Sequence, residues 1–271
     1  MAVFKNAVGI PDQDAINFIN ASGLVVPTEI GAINRLVLDL KGFLNPSYPT
    51  SNIWNKMKAV YPFVGGTVET HKFNLKDPRD LDAAYRLTFS GSWTHSSTGV
   101  TSISQGSYAS SKLDSFNVSA SNHHMSIYSR TNNTGTGDMG SWYSESSPSG
   151  AFAINFGYAN TTPEIYLNYN FLSMGNQGTS AYHLIASRTS FTSLKAYNNG
   201  ILQATNTSDQ SSKPVLRSGE ITIAAISQDI NAYRAARNYA FATIGDGLTD
   251  TEAANFYTAV QRFQTTLGRQ V

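Results

Sequence analysis

The dipeptide Asn199-Gly200 constrains the fold most strongly, because it lies between two short apolar-patterned runs, residues 194–197 and 201–204. A two-residue hairpin turn needs residues that tolerate positive φ, and Asn-Gly is the pair that does so most readily. The sequence therefore predicts a β-hairpin at this point. We place it towards the closing end of a β-sandwich.

Apolar residues alternate with polar or small ones through the middle of the chain. Phe152, Ile154, Phe156 and Tyr158 share one side of a predicted strand, and residues 165–171 repeat the pattern. Further predicted strands cover residues 85–89, 125–130, 182–187, 221–226 and 239–243. Polar loops are predicted at residues 94–111, 131–149, 176–180 and 205–218. Such a series predicts two packed antiparallel sheets.

The amino-terminal part has helical periodicity and predicts three amphipathic helices. The first ends at Gly23, the second is capped by Thr28 and ends at Gly42, and the third begins near residue 51 and ends at Pro62. Their apolar stripes are, in order, Ala15, Phe18, Ile19 and Ser22; Ile30, Ile33, Val37 and Leu40; and Trp54, Met57, Val60 and Tyr61. Each helix needs another surface to cover its apolar side.

The chain also predicts a helix at its carboxy-terminal end. Thr249 and Glu252 have the spacing of a capping box. The apolar stripe that follows is Ala253, Phe256, Val260, Phe263 and Leu267. Docking of this stripe on its own domain is favoured over an oligomer seam. We therefore expect a helical attachment segment at residues 1–68, a sandwich at residues 69–246 and a terminal helix at residues 247–271.

Composition excludes several classes of partner. Only 14% of the 271 residues are charged and the formal net charge is +1, which argues against a nucleic-acid surface. The chain has no cysteine, so disulfides and thiolate metal sites are excluded. No apolar stretch approaches membrane-spanning length, and we expect neither a leader nor membrane insertion.

Four segments together resemble the carboxy-terminal half of concanavalin A-like and laminin G-like lectin or glucanase sandwiches. They are residues 194–202, 221–225, 240–245 and 248–257. The resemblance implies a mainly β fold, a concanavalin A-like antiparallel jelly roll flanked by the helices. Residues 53–66, 74–78 and 257–269 are similar to segments of tailed-bacteriophage virion proteins that carry such a sandwich. This implies a multi-copy or homo-oligomeric tail or capsid component, made in the host cytoplasm, that contacts other virion proteins and adheres to host glycans.

The acidic residues of the β region do not show the spacing of a glycosidase motif. Enzymes on this sandwich place two carboxylates on one strand, as in Glu-x-Asp-x-Glu. No two of the acids lie two or four residues apart; they are Asp114, Asp138, Glu145, Glu164, Asp209, Glu220 and Asp229. We therefore expect solvated loop acids and a protein that is not an enzyme.

Cofactor sites are not supported by any cluster in the sequence. His123 and His124 precede a predicted strand. A metal site would need a third ligand, so we expect these two histidines to be hydrogen-bonded at the strand end and not to bind a metal. Calcium occurs in many sandwiches of the resembled family. Asp138 and Asp209 lie in suitable loops, but nothing clusters around them.

Sugar binding needs an exposed aromatic ring beside hydroxyl-reading polar groups. Trp142 and Tyr143, in the polar loop after Arg130, fit this description best, with Trp93 and Tyr197 as weaker candidates. The sequence therefore predicts a non-enzymatic virion protein with a carbohydrate site at Trp142, Tyr143, Arg130 and Tyr197. The alternatives are a decoration protein without a ligand and, third, a polysaccharide depolymerase.

Overall fold

The computed structural model describes residues 11–42, 52–103, 106–133, 135, 137–143, 150–157, 162–168, 170–213, 218–227 and 235–271. These residues form a β-sandwich with helices packed on one side. No helix in these ranges is long and apolar enough to cross a membrane.

The helices are α1 (Gln13–Ser22), α2 (Pro27–Leu40), α3 (Ile53–Lys56), α4 (Val68–His71) and α5 (Asp250–Thr266). The strands are β1 (Met57–Tyr61), β2 (Thr88–Ser90), β3 (Trp93–Ser96), β4 (Gly99–Ser102), β5 (Tyr108–Asp114), β6 (His123–Ser129), β7 (Met139–Tyr143), β8 (Gly150–Asn155), β9 (Glu164–Leu167), β10 (Asn170–Ser173), β11 (His183–Ser190), β12 (Ser193–Asn198), β13 (Ile201–Asn206), β14 (Glu220–Ile223), β15 (Ile226–Ser227) and β16 (Asn238–Gly245).

The described strands form two sheets of eight strands each. Sheet I has the order β13-β12-β11-β6-β16-β4-β3, and β1 also pairs with β16. Sheet II has the order β10-β9-β8-β7-β14-β5-β2, and β15 pairs with β7. All neighbours are antiparallel except β15 and β7.

The first hydrophobic core lies between the two sheets. Ile127 and Leu184 enter it from sheet I, and Ile154, Ile165 and Ile223 enter it from sheet II; all five are fully buried. Because side chains alternate along a strand, the inward residues of each sheet recur at every second position. The prediction of a mainly β, concanavalin A-like antiparallel sandwich with an amino-terminal helical segment and a carboxy-terminal helix is confirmed.

The second core lies between the helices and the outer face of sheet I. Phe18 of α1, Ile33 of α2 and Phe256 of α5 pack with Ile185 and Phe241 of that sheet. Full burial of such a side chain stabilises the fold by about 1.5–3 kcal/mol. The predicted docking of the terminal helix on its own domain is confirmed. No described residue of sheet II belongs to this second cluster.

Two predicted elements are confirmed in detail. Asn199 and Gly200 have φ values of 49° and 74° and join β12 to β13, as a type I′ turn requires. The stripes of the first two helices are buried, and Gly23 ends α1 in the left-handed region. However, α2 begins at Pro27 after Val26, and Thr28 is not its cap.

The predicted third helix is wrong beyond Lys56. Residues 57–61 form β1, which pairs with β16 from Met57 opposite Gly245 to Tyr61 opposite Ala242. Ala59 and Tyr61 enter the first core, whereas Met57 and Val60 enter the second. Because β1 sends apolar side chains into both cores, its apolar positions do not alternate strictly and imitate a helical stripe.

Three further predictions are corrected. Residues 165–171 are not one strand, because Asn168 has a φ of 51° and reverses the chain between β9 and β10. Residues 94–111 are not one loop, since they contain β4 and parts of β3 and β5. These strands are rich in Ser and Thr and lack clear apolar alternation. The strand predicted at residues 85–89 begins only at Thr88, after Tyr85 in the left-handed region.

The capping box of α5 is present, and we expect Thr249→Ala to lower the free energy of unfolding by about 1 kcal/mol. The Thr249 hydroxyl caps the Glu252 amide, and Glu252 Oε2 accepts from the Thr249 amide over 2.8 Å. Urea unfolding measures the change. Thr258→Ala is the matched control, because this exposed threonine lies inside the same helix; an equal loss in both variants would contradict the capping role.

Candidate functional site

Two of the four predicted sugar-binding residues, Tyr197 and Arg130, make contacts within the protein beside sheet I. Tyr197 is fully buried, and its hydroxyl donates to Asp250 Oδ1 of α5 over 2.8 Å. Burial raises the pKa of this phenol. Half-buried Arg130 donates from Nε to the Arg269 carbonyl over 2.8 Å. Tyr197 therefore offers no open ring to a sugar, and Arg130 is held against the carboxy-terminal residues.

Trp142 lies within strand β7 and not in a loop, which corrects the prediction. Its partner on β8 is Ala151, whereas the partner of the preceding Ser141 is Phe152, which belongs to the core between the sheets. Alternation therefore places half-buried Trp142 on the outer face of sheet II. Tyr143 ends the strand, and its side chain lies outside the described residues. The predicted site is thus divided between the two sheets.

An aromatic pair lies on the same outer face of sheet II. Phe171 of β10 and Tyr166 of β9 are register partners, with ring centroids 5.1 Å apart and planes inclined at 46°. Phe171 is 48% exposed, and Tyr166 is half-buried. The Tyr166 hydroxyl donates to Glu164 Oε2 over 3.2 Å. An open apolar ring therefore stands beside a hydroxyl and a carboxylate.

A row of register partners runs across sheet II from this pair. In order it contains Phe171, Tyr166, Ala153, Gly140, Thr222, Ser110 and Thr88. Ala153, Gly140, Thr222 and Ser110 are all buried, so the middle of this row is closed to solvent and Phe171 at its end is open. A Cβ on Gly140 would clash with the Phe152 carbonyl, so no side chain fits there.

Trp142 is separated from the aromatic pair by the buried residues Ala153 and Gly140. It is two strands from Tyr166 and two residues along β7 from Gly140. With strands about 4.8 Å apart and a rise of about 3.4 Å per residue, the Cα atoms of Trp142 and Tyr166 are about 12 Å apart. Trp142 therefore does not share an open surface with the pair. We call the surface formed by Phe171, Tyr166 and Glu164 the aromatic face.

Tyr166 and Phe171 are not among the predicted site residues, because the period-two pattern predicts one strand over residues 165–171. In that pattern Phe171 shares the buried side of Ile165 and Leu167. The reversal at Asn168 exchanges the two sides, so that Leu172 is buried and Phe171 is open. An Asn between two short apolar runs is a turn signal that could have indicated the reversal.

Asp138 is not a solvated loop acid, which corrects a second prediction. It forms an ion pair with Arg237 over 2.7 Å, and both side chains are fully buried. The Tyr239 hydroxyl donates to Asp138 Oδ1 over 2.5 Å, and the Phe156 amide donates to Oδ2 over 2.8 Å. Burial by itself lowers the pKa of the Arg237 guanidinium. The neighbouring Asp138 carboxylate favours the charged form, and the pKa is raised overall. Asp138 is therefore saturated by donors and acts within the fold.

The predicted hydrogen-bonded histidine pair is confirmed. His123 and His124 begin β6 and are fully buried, and their Nδ1 atoms lie 2.5 Å and 2.6 Å from the carbonyls of Ser119 and Asp246. Burial lowers the pKa of His123 to about 3 and that of His124 to about 4, so both rings are neutral. Among the described residues, no group of three or more His, Asp or Glu side chains could hold a metal.

Trp93 marks a second aromatic cluster at the opposite edge of the sandwich. Its ring meets Phe89 edge to face with centroids 5.1 Å apart, and its Nε1 donates to the Ser90 carbonyl over 2.9 Å. Both rings pack against the core between the sheets. The cluster closes an edge of the sandwich and presents less open ring surface than Phe171.

The comparisons with known proteins show the fold alone. No family model matches the sequence, and neither does any curated protein. The fold is similar to that of a Trypanosoma rangeli sialidase in complex with 2,3-difluorosialic acid, with a TM-score of 0.54 and 8% identity over 85% of this chain and 38% of that chain. A mutant of the same sialidase displaying trans-sialidase activity has a TM-score of 0.53 and 7% identity over 94% of this chain and 39% of that chain. The chain thus spans about two fifths of the sialidases it resembles.

These neighbours contradict the prediction that the protein is not an enzyme. The prediction relied on the absence of a two-carboxylate motif, yet a similar fold occurs in a sialidase and in its mutant displaying trans-sialidase activity. The missing motif therefore does not exclude an enzyme on this fold. Domain 4 of an extracellular arabinanase from Geobacillus stearothermophilus, in complex with arabinotriose, has a TM-score of 0.40 and 13% identity over 74% of this chain and 98% of that chain; a similarity this low carries no argument.

Proposed function

We propose that this chain binds glycans on the aromatic face of sheet II. The observation that carries the proposal is the open Phe171 ring paired with Tyr166, beside the Glu164 carboxylate. The apolar C–H face of a sugar packs on an aromatic ring, and carboxylate and phenol oxygens bind its hydroxyls. The occurrence of this sandwich in sialidase chains supports a carbohydrate ligand.

The position of the helices supports the choice of face. The described helices α1, α2 and α5 bury the outer face of sheet I, so Tyr197 on that side is closed. The aromatic face is on the other sheet, where Phe171 is 48% exposed. The virion location, the tail or capsid partners and the multi-copy assembly remain predictions from the resemblance.

Phe171→Ala is expected to weaken glycan binding at least about tenfold, because truncating a central aromatic contact typically costs more than about 1.4 kcal/mol. A glycan array identifies ligands, and titration calorimetry measures the affinity of each variant. The matched control is Phe116→Ala: Phe116 is 59% exposed in the turn after β5, which is five strand spacings of about 4.8 Å, or about 24 Å, from β10 across the sheet.

The proposal is wrong if Phe171→Ala and Phe116→Ala bind as the unaltered protein does. An array without any ligand would also contradict it and would favour a decoration protein without a glycan. Circular dichroism of both variants shows whether the fold is retained.

A further inference from the structure

The aromatic face is carried by a small hairpin, β9–β10, at the edge of sheet II. Each of its strands has four residues, and β9 joins the hairpin to the rest of the sheet by pairing with β8. Two strands of this length are marginally stable on their own. The rings of Tyr166 and Phe171 therefore keep a fixed geometry only where contacts outside the hairpin hold its backbone.

Asparagine side chains hold the turn and the outer strand of this hairpin. Asn168 is buried in the left-handed region, and its Nδ2 donates to the carbonyls of Ala120 over 3.1 Å and Lys213 over 3.2 Å. Asn206 of β13 donates from Nδ2 to the Phe171 carbonyl over 2.8 Å. The backbone that carries the open ring is thus bonded to the edge strand of sheet I.

Arg188 holds the inner strand of the hairpin. Its side chain is fully buried, and Nη2 donates to the Leu167 carbonyl of β9 over 3.0 Å. Nη1 donates to the carbonyls of Ser190 and Phe191 over 3.3 Å and 2.9 Å. Because Leu167 directly follows Tyr166, the guanidinium of sheet I fixes the backbone beside the Tyr166 ring.

The burial of Arg188 is unfavourable in itself. Burial lowers the pKa of the guanidinium to about 10, so it stays charged at neutral pH, and no described carboxylate acts on it to raise the pKa. Its Nε has no hydrogen-bond partner among the described residues. A buried charge without a carboxylate is costly, and apolar side chains often replace such groups without loss of stability. The bond to the hairpin therefore points to a role other than packing.

We propose that Arg188 and Asn206 are positioning residues for the aromatic face, holding β9 and β10 so that Tyr166 and Phe171 stay side by side. This inference rests on the proposed glycan binding. The sugar contacts the rings, and the fully buried Arg188 side chain acts on it only through the Leu167 backbone. Without these bonds the hairpin moves, and binding must then order both rings, which lowers the affinity.

Two variants test the proposal in titration calorimetry with the glycan that gives the strongest array signal. Arg188→Met removes the donors but keeps a long unbranched side chain, and Asn206→Ala removes only the bond to the Phe171 carbonyl. We expect each variant to bind about three- to tenfold more weakly, at a temperature where circular dichroism shows it folded. Hydrogen exchange without glycan should become faster in β9 and β10 and stay unchanged in β14.

Ser187→Ala is the matched control. Ser187 precedes Arg188 on β11 and faces the helices, where its hydroxyl donates to the Leu248 carbonyl over 2.8 Å. This variant also loses a buried hydrogen bond, but the hairpin is not involved, so its affinity should equal that of the unaltered protein. A purely structural role for Arg188 would give the same result as this control.

The outcomes separate the inference from the proposed function. If Phe171→Ala weakens binding but Arg188→Met and Asn206→Ala do not, the positioning role is overturned and the site is kept. Should Arg188→Met fail to fold, Asn206→Ala decides alone, and unchanged affinity overturns the proposal. Binding that Phe171→Ala leaves unchanged overturns the proposed site itself.

Discussion

Lowering the pH from 7.5 to 5.5 is expected to reduce the free energy of unfolding by about 5 kcal/mol. The cause is a set of four buried histidines, His71, His123, His124 and His183, which are at most 1% exposed. Burial lowers the pKa of His71, His123 and His183 to about 3 and that of His124 to about 4. In the unfolded chain each titrates near 6.5.

The sign follows from these depressed pKa values. Above pH 6.5 both states hold neutral rings, and the stability is fully present. As the pH falls below 6.5, these histidines become protonated in the unfolded chain but stay neutral in the folded one. The free energy of unfolding therefore decreases progressively down to about pH 3–4. Four such groups change the free energy by about 5 kcal/mol per pH unit below 6.5, at about 1.4 kcal/mol for each.

Urea unfolding at pH 7.5 and pH 5.5, followed by tryptophan fluorescence, measures this loss. His183→Leu tests the cause, because neither ring nitrogen of His183 has a hydrogen-bond partner and the ring packs among Tyr128, Phe241 and Phe256. This variant should reduce the pH dependence by about a quarter. Stability that does not change between the two pH values would contradict the neutral burial of these rings.

The second large effect concerns the buried ion pair. Asp138→Ala is expected to lower the free energy of unfolding by about 3–5 kcal/mol, because it leaves the Arg237 charge buried without a counterion. The Tyr239 hydroxyl and the Phe156 amide also lose their acceptor. Urea unfolding at pH 7.5 measures the change.

Asp80→Ala is the matched control for the ion pair. Asp80 also bonds two cations, Lys72 and Arg86, but its side chain is 48% exposed, so we expect a change within about 1 kcal/mol. Replacing both buried partners, as in Asp138→Leu with Arg237→Met, should recover part of the loss. An Asp138→Ala effect as small as that of Asp80→Ala would show that the pair does not stabilise the fold.

The parts of the fold that were predicted from sequence are those with strong local signals. Asn199-Gly200 predicted its turn because both residues tolerate the positive φ that the turn requires. Thr249 and Glu252 predicted the start of α5 through the spacing of a capping box. The period-two run at residues 152–156 indicated β8 because large apolar side chains alternate with small or polar ones, although both faces of the strand are buried. Each of these signals lies within a few residues, so the element can be predicted without knowing its tertiary contacts.

The parts that were missed depend on contacts between distant segments. β1 is a strand because β16 offers it a ladder of hydrogen bonds, although its own pattern imitates a helix. Asp138 is buried because Arg237, far along the chain, supplies its counterion. The aromatic face joins β9 to β10, and it is the reversal at Asn168 that places Phe171 opposite Tyr166.

The most direct test of glycan binding at the aromatic face is a crystal structure of the protein with an oligosaccharide chosen from the array. We predict sugar density stacked on Phe171 and Tyr166, with a hydroxyl bonded to Glu164. Density that lies instead at Trp93, or on the helical side of sheet I, would contradict the assignment of the site.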